Sequence, residues 1–160
     1  NKSGPRYLQI IDKYIYVVNE LSSSISVLYL DIIDNNIKNV IEIQNISTIP
    51  QLYNGYNTCG NILLDSSKKF IFVSNRGHDS IAYYKILENN KLELINILNS
   101  KGKTPRHFTL NKRNNKLIIC NQDSNNICIY YILIINNKIF ILKKKIIKNI
   151  NSPNYVLELT

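Results

Sequence analysis

Three segments of this chain are copies of one pattern. They are "KYIYVVNELSSSISVLYL" (Lys13 to Leu30), "KFIFVSNRGHDSIAYYKI" (Lys69 to Ile86) and "KLIICNQDSNNICIYYIL" (Lys116 to Leu133). Each opens on lysine and a bulky apolar residue, then runs through a short apolar stretch to an asparagine: Asn19, Asn75 or Asn121. Four or five polar or small residues follow before Ile25, Ile81 or Ile127 starts a second apolar stretch. From asparagine to asparagine the steps are 56 and 46 residues. A repeat of that length restricts a chain to solenoids, propellers and similar arrays.

Further repeating pieces flank these copies. "GPRYLQI" stands ahead of the first, "NTCGNILL" ahead of the second and "TPRHFTL" ahead of the third, while "SPNYVLEL" begins another round near the end. Behind the copies lie "VIEIQNIS", "LELINIL" and "KIFILKKKII". β-Branched and aromatic residues fill all of these stretches, and no segment has a helical period. "ENNKLEL" and "INNKIFIL" read as hairpins that turn on asparagine pairs. Four short antiparallel strands recurring every 45 to 55 residues or so describe a β-propeller blade. A doubled β-sandwich, the other all-β reading, does not account for one motif recurring three times in register.

The expected fold is therefore all-β: a partial β-propeller of about three four-stranded blades plus the start of another. It forms one domain over 1–160, with blade units near 4–52, 53–102 and 103–150 and the next beginning at 151–160. Closing a ring takes roughly four to eight blades, so the missing N-terminal blades of the same chain are the first partner expected. "NKSGPRYLQI" has neither an initiator Met nor a signal-like apolar run, and reads as the inside of a longer chain.

Composition narrows the function classes. No run of 18 apolar residues encodes a membrane span. The net charge of +9 invites a nucleic-acid reading, but the lysines are scattered, apart from Lys143 to Lys145, which suit a protected strand edge. No nucleic-acid or membrane partner is expected. Cys59, Cys120 and Cys128 show no metal-ligand spacing with His78 or His107 and read as small buried hydrophobes, so no metal and a reducing, cytoplasmic compartment are expected. No G-x-S-x-G, phosphate loop or H-E-x-x-H is present.

In a propeller the innermost strand of each blade lines a central channel, and equivalent positions stand around one pseudo-axis. The residue after proline is Arg6 and Arg106, with Asn154 in the last, incomplete copy; the residue after the repeated asparagine is Glu20, Arg76 and Gln122. A slot that only closed a turn would hold small turn formers throughout. A carboxylate, a guanidinium and an amide instead suit one ligand contacted by several blades, since arginine forks carboxylates and phosphates and glutamate can orient or deprotonate water. A structural use of the same groups, as buried bridges between blades, stays open on the repeat alone. His78, following Gly77 in a turn, is expected to be exposed. Strand alternation should turn His107 away from the Arg106 face, leaving it packed and hydrogen-bonded. The strand tyrosines are expected between blades.

"GPRY", "VVNELSSSISV", "IFVSNRGHDSIA", "PRHF" and "NQDSNNI", in this order, resemble the C-terminal part of the bacterial lactonase family. These are seven-bladed propellers that include 6-phosphogluconolactonases and, more distantly, fungal carboxymuconate cyclases. The resemblance implies hydrolysis of 6-phospho-gluconolactone to 6-phosphogluconate in the pentose phosphate pathway, a carboxylic ester hydrolysis on a small anionic lactone, with no cofactor. A related lactonase or muconate-cyclase-like enzyme, or a non-catalytic binding propeller, is the alternative. By resemblance the catalytic residues fall on Arg6, Glu20 and Arg76, and a family histidine belongs to a blade upstream of Asn1. Arg106, Gln122 and His78 are the expected further contacts to substrate. The sequence departs from the family at Tyr7, where histidine is usual, and at Asn61 and Leu63, where aspartate and histidine are common. The 160-residue piece alone is expected to be inactive and prone to aggregate.

Overall fold

The computed structural model describes residues 2–136 and 138–158. Among these residues twelve strands form three separate antiparallel sheets of four, each built from consecutive strands in chain order. The first holds β1 (Pro5–Ile11), β2 (Tyr14–Asn19), β3 (Ser24–Ile33) and β4 (Asn36–Ser47). The second holds β5 (Thr58–Leu64), β6 (Phe70–Arg76), β7 (Ser80–Ile86) and β8 (Leu92–Asn99). The third holds β9 (Pro105–Leu110), β10 (Lys116–Asn121), β11 (Asn126–Ile135) and β12 (Lys138–Lys148). The fold is the all-β partial propeller that the repeat implies.

The register of the repeat explains the sheets. Asn19 pairs with Ser24, Asn75 with Ser80 and Asn121 with Asn126, so each repeated asparagine ends a second strand and faces the start of the third. The four-residue connection between them closes through a left-handed residue, Ser23, Asp79 or Asn125. Such φ values favour short polar side chains that bond their own backbone. The β3–β4 hairpin turns on Asp34 and Asn35, both at positive φ, as a type I′ turn requires.

Sheets pack face to face and the innermost strands meet: β1 packs on β5 and β5 on β9. Two amides stitch this inner row. Gln9 donates to the Ile62 carbonyl at 3.2 Å, and Asn61 donates to the Phe108 carbonyl at 3.2 Å. Between the first and second sheets lies a core that includes Tyr16, Val18, Ile25, Val27, Ile62 and Tyr84. Between the second and third lies another with Phe70, Phe72, Ile81, Phe108, Leu117 and Tyr130. Burying each such side chain contributes roughly 1.5–3 kcal/mol.

The repeated asparagine and one tyrosine position also join blades. Asn75 donates to the Thr48 carbonyl at 2.7 Å and Asn121 to the Ser100 carbonyl at 3.0 Å, each reaching the residue just past the preceding blade's outer strand. The Tyr84 hydroxyl donates to the Ser47 carbonyl at 2.6 Å, and the Tyr130 hydroxyl to the Asn99 carbonyl at 2.9 Å. In the first sheet the equivalent residues are Asn19 and Leu28. Asn19 turns its amide onto Ser24 and Ser26, and the face that looks away from the second sheet leaves Leu8 and Ile10 about half exposed.

"SPNYVLEL" does not form a strand over its described residues. A strand needs a ladder partner, and the described residues of this segment have none; they lie along β9, where the Val156 amide donates to His107 Nδ1 at 3.3 Å, the Lys112 amide donates to Glu158 at 2.7 Å, and the Tyr155 ring packs at a tilt on His107.

Candidate active site

The ends of β1, β2 and β6 converge at one rim of the sheets. Arg6 is the second residue of β1, Glu20 follows the last residue of β2, and Arg76 ends β6. The Glu20 amide is fixed on the Gly4 carbonyl at 2.7 Å, and the Glu20 carbonyl accepts from the Cys59 amide at 3.0 Å. The first blade's turn is thus clamped to its own inner strand on one side and to β5 on the other.

This clamp lets two blades share one carboxylate. Arg6 Nη1 donates to Glu20 Oε2 at 2.9 Å, and Arg76 Nη2 donates to Glu20 Oε1. Arg76 Nη2 also donates to the Cys59 carbonyl at 2.8 Å. The side chains are 24%, 28% and 13% exposed for Arg6, Glu20 and Arg76 respectively. Burial pulls the Glu20 carboxyl upward, but the hydrogen bonds and charges of the two arginines outweigh it and hold it below the ordinary glutamate range. With two cations on one anion, the cluster carries one surplus positive charge. Its two Nε–H groups, on Arg6 and Arg76, are buried and make no hydrogen bond among the described residues, so each arginine keeps a donor beyond those that hold Glu20.

The other sequence-derived candidates are not joined to this cluster by any hydrogen bond or ion pair among the described residues. Arg106 is exposed. Gln122 occupies the slot of Glu20 two rounds on, its amide held by the Thr104 carbonyl at 3.0 Å, and its side-chain Oε1 is buried without a donor among the described residues. His78 is half-buried rather than exposed, because the loop after the first blade folds over its turn. Its ring accepts or donates at Ser80 Oγ (2.7 Å from Nδ1), its amide donates to Asn57 Oδ1 at 3.1 Å, and Tyr53 packs edge-on against it. Burial depresses its pKa against the opposing pull of Asp79.

Behind the cluster sits a buried polar network that the sequence did not disclose. Asn75 Oδ1 accepts from Thr48 Oγ1 at 2.7 Å and from Asn57 at 3.3 Å, while its amide also reaches Ser80. Cys59 packs into the same network beside Thr48, and burial pushes its thiol up to about 11. The recurrence of the asparagine was the available signal; Thr48 and Asn57 carry none, since they lie outside the repeated motif. Gly77 is required here: at φ +116° a Cβ would lie 2.1 Å from the Tyr56 carbonyl oxygen.

Arg6 lines an open hollow of about 380 Å³ with Pro5, Tyr7, Leu8 and Val17. Two larger hollows, of about 760 and 680 Å³, lie away from the three charged residues, at the β7–β8 hairpin and along Ser22, Ser24 and Ser26. The first gathers Lys68, Lys69, Lys85 and Glu88 and the second Lys2 and Glu42, and neither includes Arg6, Glu20 or Arg76. Among the described residues no group of His, Cys, Asp and Glu could hold a metal ion, and no helix is long and apolar enough to cross a membrane.

Comparison with known proteins agrees with this architecture. A protein from Lactobacillus plantarum superimposes with a TM-score of 0.84 at 27% identity, over 95% of this chain and 44% of that one. A candidate 6-phosphogluconolactonase from Bacteroides fragilis gives 0.76 at 25% identity, over 96% and 41%. The periplasmic gluconolactonase of Pseudomonas aeruginosa gives 0.81 at 21% identity, over 95% and 41%, a likeness of fold. An uncharacterised protein of Lactococcus lactis is 38% identical over 119 residues, 74% of this chain and 34% of its own length. The chain thus spans about a third of the curated relatives it matches. Residues 1–154 match the family described as lactonase, 7-bladed β-propeller, and the chain belongs to that family.

Proposed function

We propose that this chain supplies part of the active site of a hydrolase for anionic sugar lactones, with 6-phospho-gluconolactone as the substrate and 6-phosphogluconate as the product. The observation that carries the reading is the carboxylate of Glu20 shared by arginines from two blades, with surplus positive charge and unpartnered donors at the rim. In the reaction a water adds to the lactone carbonyl carbon. The carbonyl oxygen takes up negative charge, which a guanidinium stabilises. The ring C–O bond then breaks, the ring oxygen takes a proton, and the net products are a carboxylate and one released proton. Glu20 holds the attacking water, and Arg6 and Arg76 supply the positive charge. Arg106, Gln122 and His78 extend the contacts to the sugar. No cofactor enters this scheme, and the pentose phosphate pathway and the cytoplasm are the setting it suits.

Support for a lactone comes from the family, and support for an anionic one from the charge of the cluster. A gluconolactone without phosphate, as the name gluconolactonase of the Pseudomonas aeruginosa neighbour suggests, is the second reading. Assay of the full-length protein on both lactones separates the two. Arg76→Ala in that protein should lower turnover at least a hundredfold, as loss of a charge stabiliser in the transition state does. Unchanged turnover would refute the assignment.

A further inference from the structure

The two arginines on Glu20 are not equivalent. Arg76 is fixed twice, by the carboxylate of Glu20 and by the Cys59 carbonyl, and is the less exposed of the pair. Arg6 makes one ion pair, through Nη1 to Glu20, and its side chain is the more exposed of the two. The Tyr7 ring lies 5.4 Å from the Arg6 guanidinium carbon, a cation–π contact that does not use up its donors.

We propose that in the ligand-free protein Glu20 occupies the place of the ligand's anionic group on Arg6, and that a phosphate or carboxylate displaces it there while Arg76 keeps its hold on Glu20. Arg6 is then the arginine that binds the ligand's anionic group, and Arg76 keeps the freed carboxylate in place for water while its charge stabilises the carbonyl oxygen. This rests on the lactone-hydrolase reading for the identity of the ligand, though the exchange itself needs only an anion. The charge balance supports it. A neutral Arg6–Glu20 pair becomes an Arg6–anion pair plus a carboxylate that Arg76 still neutralises, so no bare charge is created inside the site. The groups facing Glu20 are Arg6 from β1, Arg76 from β6 and the Cys59 thiol from β5, which burial keeps protonated.

The test is calorimetric titration of the full-length protein with inorganic phosphate, alongside steady-state kinetics on the lactone. Glu20→Gln removes the competitor and should tighten phosphate about tenfold, the effect of one charge a few ångströms away. Arg6→Ala should weaken phosphate at least tenfold and raise KM. Arg76→Ala should change phosphate affinity less than threefold and lower kcat instead. Arg6→Lys, which keeps the charge without the fork, guards against a folding defect and should bind phosphate between wild type and Arg6→Ala. No phosphate binding by the wild type, weaker binding in Glu20→Gln, or equal losses in the two alanine variants would overturn the exchange. The expected phosphate pattern with no lactone turned over would leave the exchange standing and remove only the substrate assignment.

Discussion

Single residues at this rim act through charge and through hydrogen-bond direction. Glu20, held below its ordinary range, contributes stability that is fully present above its unfolded value near 4.3 and is lost as the pH falls through its lower folded value. His107 has the same sign for another reason. Burial depresses its pKa, so its neutral form is favoured in the folded chain, and that contribution is lost on acidification from about 6.5 downward. The atom at stake is identifiable. His107 Nδ1 accepts from the Val156 amide, and a protonated ring has no lone pair there. Lowering the pH from 7 to 5 should therefore reduce the protection of the Val156 amide, measured as an exchange protection factor, and His107→Phe should abolish that pH dependence. Protection that is independent of pH in the wild type would show that the contact does not hold the segment.

At the scale of elements, the repeat made the strands and their order legible because apolar alternation, asparagine-pair turns and the lysine-to-asparagine register all point to one sheet per unit. The convergence of Arg6, Glu20 and Arg76 was legible too, since equivalent positions in a propeller surround one axis. His78 was not. Its burial depends on Tyr53 and Asn57, in a connecting loop whose path no period encodes. Nor could the motif show what its asparagine does. Asn75 and Asn121 bond a carbonyl past the preceding outer strand, whereas Asn19 bonds serines of its own sheet. Asn75→Ala, which strands several buried partners, should destabilise the full-length protein by about 3 kcal/mol in urea unfolding. A cost under about 0.5 kcal/mol would mean that the asparagine closes its turn and nothing more.

Across the whole molecule, two sheet faces have no sheet against them among the described residues. Leu8 and Ile10 stand open on one side, and Leu133 and Phe140 on the other. Open apolar faces on β-sheets invite association. The 160-residue chain on its own should self-associate at micromolar concentration in analytical ultracentrifugation, and aspartate at both Leu8 and Ile10 should reduce it; a monodisperse monomer of the unsubstituted chain would contradict this. The same geometry that leaves those faces open brings charges from separate blades to one rim, and the functional reading depends on that rim. The most direct measurement is a crystal structure of the full-length protein with 6-phosphogluconate bound. An anionic group of the product should sit on the Arg6 guanidinium, with Glu20 moved off Arg6 and still paired with Arg76. Product bound elsewhere, with the Arg6–Glu20 pair intact, would contradict the account.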